Sequence, residues 1–106
     1  VPFTYKLVQS KVVVPEARTG RILDVGYHGV LAEIGQPIPP LAEVLVEFEL
    51  PLVAHKSRSV YGRAVKVAPR AAGLFHAGIE FTSTSDEDRA AIQLFVQLLI
   101  QGSESD

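Results

Sequence analysis

An all-β domain carrying one C-terminal helix is what this sequence predicts, and three observations carry that expectation. Residues Glu43 to Leu50 alternate apolar and acidic or leucine positions, with Val44, Val46, Phe48 and Leu50 on one side, the pattern of a strand packed on a core by one face. Short β-branched runs are separated by glycine and proline turns throughout the first eighty residues. No stretch before residue 82 sustains a 3.6-residue period, so there is no helix to make βαβ crossovers. The 106 residues and 11.5 kDa amount to one domain, and 47% hydrophobic content with 21% charge and a mean hydropathy of +0.22 is enough to bury a core.

In chain order the expected strands are Phe3 to Val8, Lys11 to Val14, Arg21 to Val25, Val30 to Ile34, Glu43 to Leu50, Val60 to Val67 and Ala77 to Phe81. Gly26-Tyr27-His28-Gly29 links the third and fourth through glycines able to take positive φ. Gly35 to Pro40 holds Pro37, Pro39 and Pro40, which no ladder accommodates, and hairpins are expected between neighbours throughout. Six or seven such strands must close on themselves or pack as two sheets to hide their edges. Thr82, Ser83, Thr84 and Ser85 supply several possible N-caps for the terminal helix, Thr84 followed by Glu87 fits a capping box, and Asp86, Glu87 and Asp88 suit the positive end of its dipole. That helix is expected to reach about Gln101 with a broad apolar stripe of Ala91, Phe95 and Leu98, flanked by Ile92, Leu94 and Leu99, turned to the barrel or to a partner. Gly102 is expected to stop it, making residues 1–101 the domain and 102–106 a flexible tail.

Composition excludes several chemistries. Without cysteine there is no disulfide framework, thiolate zinc site or cysteine nucleophile. The absence of methionine, including at position 1, suggests a chain cut from a longer protein. No apolar run approaches the ~20 residues of a membrane span and no signal peptide is visible, so a soluble, cytoplasmic domain is expected. A net charge of −2 and a pI near 5.9 argue against DNA or RNA as partner, and against a nucleic-acid-binding OB-like or SH3-like barrel. The total hides a division: residues 1–79 carry a net +3 and residues 80–106 a net −5. Lys56, Arg58, Arg63, Lys66 and Arg70 fall in a span without a single acid, so anion binding is open to that stretch.

Nothing in the chain reads as catalytic. There is no G-x-S-x-G elbow, no H-E-x-x-H and no phosphate-cradling glycine loop ahead of a helix, and Asp24 has no carboxylate partner at a fixed spacing. His28, His55 and His76 lack helical ligand spacing, and each is expected as an exposed loop histidine, with no metal bound. The most informative segment is Arg21 to Leu31. Asp24 closes an apolar strand and is followed by Gly26 and Gly29, which together build a tight surface turn whose carboxylate can accept from backbone N–H groups or from a ligand's N–H edge.

The order of these segments resembles the PilZ domain family from about Pro2 to Leu99. Asp24-Val25-Gly26-Tyr27-His28-Gly29 is similar to the family's D/N-x-S-x-x-G, and Gly78-Ile79-Glu80-Phe81 to its G-[I/V]-x-F strand before the helix. The resemblance implies a six-stranded antiparallel β-barrel with a C-terminal helix that serves as a bacterial receptor for cyclic di-GMP, with no other cofactor. In that family an R-x-x-x-R motif ahead of the first barrel strand grips the phosphates, while the acid-glycine turn holds a guanine edge. Arginine offers a bidentate fork for phosphate and a flat cation for stacking.

Two departures matter. Gly26 stands where the family has serine, so one hydroxyl contact is lost while Asp24 and Gly29 match. No R-x-x-x-R occurs in the chain, since Arg18 and Arg21 are three apart and follow the first strand; the motif's arginines would fall upstream of Val1. The expected site is therefore Asp24, Gly26 and Gly29, with Arg18 and Arg21 assisting at the phosphates. The alternative is a degenerate PilZ domain that does not bind cyclic di-GMP and acts on another domain or a signalling protein through its helix or through Arg63 and Lys66.

Overall fold

The computed structural model describes residues 1–104, without the side chains of residues 58, 59, 103 and 104. Seven strands form in the order read from the sequence: β1 (Pro2–Gln9), β2 (Val12–Val13), β3 (Arg18–Val25), β4 (Gly29–Ile34), β5 (Glu43–Leu50), β6 (His55–Pro69) and β7 (Phe75–Ser83), followed by helix α1 (Asp86–Glu104). Every pairing is antiparallel, in the spatial order β2-β1-β3-β4-β7-β6-β5. A further pairing of β1 with β5, from Phe3 opposite Phe48 to Val8 opposite Glu43, closes six of the strands into a barrel and leaves β2 as a short flap on β1. Closure answers the edge-strand problem that the sequence posed.

Alternation explains the interior. Val44, Val46, Phe48 and Leu50 of β5 are buried with Phe3, Tyr5, Ile22, Ile34, Val60 and Ile79 from the other walls. The segment between β4 and β5 departs from the expected hairpin: β4 lies between β3 and β7, and β5 between β6 and β1, so residues 35–42 cross one end of the barrel. Ile38 is buried on this crossing, and Leu41 N–H donates to the Ala64 carbonyl at 2.6 Å, which ties the proline-rich strap to β6.

Helix α1 covers its part of the barrel with Ile92, Phe95 and Val96, while Ala91 and Leu98 are only half-buried. Within the expected stripe the centre therefore shifts to the Ile92 flank, and Leu94 and Leu99 on the other flank are exposed. Of the four possible caps it is Ser85, and not Thr84 of the capping box, that starts the helix: Asp88 N–H donates to Ser85 Oγ at 3.0 Å and Arg89 N–H to the Ser85 carbonyl at 2.9 Å. Asp88 in turn lies 2.7 Å from His55 Nε2 at the start of β6, its side chain 8% exposed. A helix held by that contact presents Ile92, one turn on from Asp88, to the barrel. Gly102 does not end the helix, which continues to Glu104 without a positive φ at the glycine; Ser105 and Asp106 of the expected tail lie outside the described residues.

The β1–β2 turn holds Ser10 and Lys11 at φ of 50° and 65°, between the paired residues Gln9 and Val12. Two positive φ values mark a two-residue turn that glycine fills without the Cβ clash of other residues. Lys11→Gly is expected to raise stability by about 1 kcal/mol, read as a higher urea midpoint with an unchanged slope.

Candidate functional site

The β3–β4 hairpin carries the acid-glycine turn. Strict alternation from the buried Ile22 would put Asp24 inside the barrel and Val25 outside. A bulge between Ile22 and Asp24 prevents this, so Leu23 and Asp24 both face solvent and Val25 is buried. One extra residue therefore delivers a carboxylate to the surface, and only the register shows it. Gly26 N–H donates to the Gly29 carbonyl at 2.8 Å, and Phe81 N–H donates to the His28 carbonyl at 2.7 Å, which pins the turn to the end of β7.

Neither turn glycine has a positive φ, contrary to the sequence expectation. What Gly29 supplies is room: a Cβ there would lie 2.2 Å from the Ile79 carbonyl oxygen, so β4 and β7 approach as closely as they do only with glycine. Gly26 is under no such constraint, since its Cβ would meet Gly29 O at an ordinary 3.6 Å.

From Asp24 a row of facing residues runs across the outer wall: Asp24 opposite Leu31, Leu31 opposite Gly78, and Gly78 opposite Lys66. A second bulge, between Ala64 and Lys66, turns Val65 outward beside it. Leu31 and Val65 are 39% and 46% exposed, and Gly78 between them has no side chain to fill the gap. The result is a shallow depression of about 330 Å³ with an apolar floor of Leu31, Val65 and Gly78 and the acids Asp24 and Glu80 at its margin. Adjacent strands lie about 4.8 Å apart, so the floor is wide enough for a planar ring. On the far side of the turn a larger cleft of about 700 Å³ lies between Tyr27 and His28, the end of β7, and Arg89 and Ile92 of α1.

The other expected site residues are placed differently. Arg18 sits at the opposite end of β3 from Asp24, six residues and roughly 20 Å away, where it faces Tyr5 and shares a separate depression with it. Tyr5 is 2% exposed, and its burial raises the phenol above the ordinary tyrosine range, against a smaller lowering by its hydrogen bond to Arg18 and by that residue's charge. Arg21 is nearer the turn, but its guanidinium lies 3.1 Å from Glu33 Oε1. Glu33 Oε2 is 3.6 Å from His76 Nε2, and Arg70 Nε donates to His76 Nδ1 at 3.2 Å, so four residues form a polar ladder over β3, β4 and β7 and the loop start.

These contacts revise the histidine expectation. His28 is exposed in its turn, whereas His55 and His76 are both half-buried and engaged, because strand pairing brings acids to them that lie far off in sequence. Of the basic stretch, Lys56 pairs with Glu47 at 3.3 Å, Arg63 and Lys66 are exposed, and the Arg58 side chain lies outside the described residues. Among the described residues no group of three or more His, Asp or Glu is placed to hold a metal ion. No described helix is long and apolar enough to cross a membrane. Val65 was not singled out from the sequence, and Leu31 and Gly78 were read only as parts of their motifs, because nothing along a strand says which outward residues become neighbours across the sheet. In comparisons with known proteins, no family model, no curated protein and no solved structure matches this chain.

Gly29→Ala is expected to cost about 1–3 kcal/mol by overpacking, seen as a lower thermal midpoint, while Gly26→Ser leaves the midpoint within a degree or two. For Tyr5, burial favours the neutral phenol in the folded state. The stability it contributes is full below the usual tyrosine value of about 10 and is lost as the pH rises through the raised folded value. An alkaline absorbance titration should show one late-ionising tyrosine that Tyr5→Phe removes, and the same substitution should flatten the fall in stability above about pH 10.

Proposed function

We propose that this chain is a cyclic di-GMP receptor module of the PilZ type, binding the dinucleotide at the Asp24–Gly29 turn. The observation that carries the reading is the bulge that turns Asp24 outward at the margin of an apolar floor. A guanine offers two N–H groups on one edge and two flat faces. A carboxylate accepts from the edge, and Leu31, Val65 and the bare backbone of Gly78 receive a face. The closed six-stranded barrel with its C-terminal helix is the architecture the resemblance implies. Gly78-Ile79-Glu80-Phe81 also lies where such a ligand would rest, with Gly78 in the floor and Phe81 bonded to the turn. Arg21, on the outer face of the same strand, reaches a ligand phosphate only by leaving Glu33.

Isothermal titration of the 106-residue chain with cyclic di-GMP tests the proposal. Binding heat is expected, with affinity reduced about ten- to a hundredfold in Asp24→Ala through loss of roughly 1.5–3 kcal/mol of charge-assisted hydrogen bonding. No heat at a hundredfold excess of ligand overturns it.

One observation favours the second reading, a barrel that acts on a partner protein. Residues 90–103 of α1 contain no charged side chain, yet Leu94 and Ile100 are 49% and 45% exposed. Partner capture that survives Asp24→Ala and is lost in Leu94→Lys supports that alternative.

A further inference from the structure

The depression at Asp24 and the cleft beneath α1 meet at one residue, His28, which lines both. Their chemistries are opposite. The depression is edged by two carboxylates, which accept hydrogen bonds and repel anions. The cleft has no acid in its lining, although the chain holds twelve. It presents instead the Arg89 guanidinium, the hydroxyls of Thr82 and Ser83, and the rings of Tyr27 and Phe81.

Arg89 is exposed on the second turn of α1, and no described carboxylate, including Asp86 and Glu87 of its own helix, lies within ion-pairing distance of it. Arg21, Lys56 and Arg70 are engaged by neighbours, and Arg18 lies far along β3. Arg89 is thus a planar, uncommitted donor fork beside the turn. The hairpin from Asp24 to His28 spans about 10 Å, comparable to the reach from a guanine's N–H edge to its own phosphate.

We propose that the cleft receives the phosphate of a guanine nucleotide whose base edge meets Asp24, with Arg89 the phosphate-binding residue and Tyr27 the ring that screens it. This assignment rests on the cyclic di-GMP reading and deepens it: the phosphate contact comes from the C-terminal helix. The helix, which otherwise only covers the barrel, then touches the ligand, so occupancy is transmitted directly to the element that carries the uncharged leucine face.

Amide chemical shifts of the labelled 106-residue chain, followed during separate titrations with cyclic di-GMP, GMP and guanosine, test this. Cyclic di-GMP and GMP are expected to shift residues 24–31 together with 81–93, and guanosine only the first group. Arg89→Ala should weaken the phosphorylated ligands about ten- to a hundredfold and reduce the loss of their affinity on adding salt, leaving guanosine unchanged. Alanine keeps the exposed helix position favourable, and Lys11→Ala at the far turn serves as the charge control with no effect. Shifts confined to residues 24–31 and 78, with Arg89→Ala binding as well as the parent, overturn the phosphate assignment while leaving the receptor reading intact. No shift with any of the three ligands overturns both.

Discussion

Pairing of β1 with β5 is the contact on which the rest of the molecule depends. It joins the first strand to one about forty residues later, Phe3 opposite Phe48 and Leu7 opposite Val44, and so turns a seven-strand sheet into a closed barrel. Both residues of the first pair are buried. An open sheet of these strands would leave the alternating faces of β1 and β5 half-wet and two backbone edges unpaired. With the barrel closed, the apolar half of every strand has an interior, and the outward half becomes a continuous curved wall on which residues from distant strands are neighbours.

That wall is where the chemistry resides, and bulges decide what stands on it. The pleat allows a strand only one choice of face, so a single added residue inverts everything after it. In β3 the addition falls just before Asp24 and moves a carboxylate from core to surface; in β6 it falls at Val65 and adds an exposed methyl-bearing side chain opposite. Between them Gly78 contributes an absence. A carboxylate beside an apolar floor follows from two irregularities and one missing side chain.

The helix is seated by a contact of a different kind. Ser85 caps it, Asp88 of its first turn meets His55, and Ile92, Phe95 and Val96 follow onto the core. The burial of each large apolar side chain contributes about 1.5–3 kcal/mol, so three of them suffice to hold the first half of α1. Among the described side chains beyond Val96, none is fully buried. The seated half brings Arg89 to the turn, and the second half presents leucines and isoleucine outward.

The sequence by itself determined the class and order of the elements. Alternation in β5, glycine and proline between short β-branched runs, and a 3.6-residue period confined to the end are local properties, and the seven strands and the helix fall where they indicate. The turn of Asp24, Gly26 and Gly29 was legible for the same reason. The tertiary structure alone decided that the chain crosses the barrel end between β4 and β5, that Ser85 and not Thr84 caps the helix, and that His55 and His76 are engaged. It also decided that Arg18 lies far from Asp24 while Arg89 lies near the turn. Those outcomes depend on strand register and closure, which set neighbours across the sheet, and no periodicity along the chain records which residue will face which.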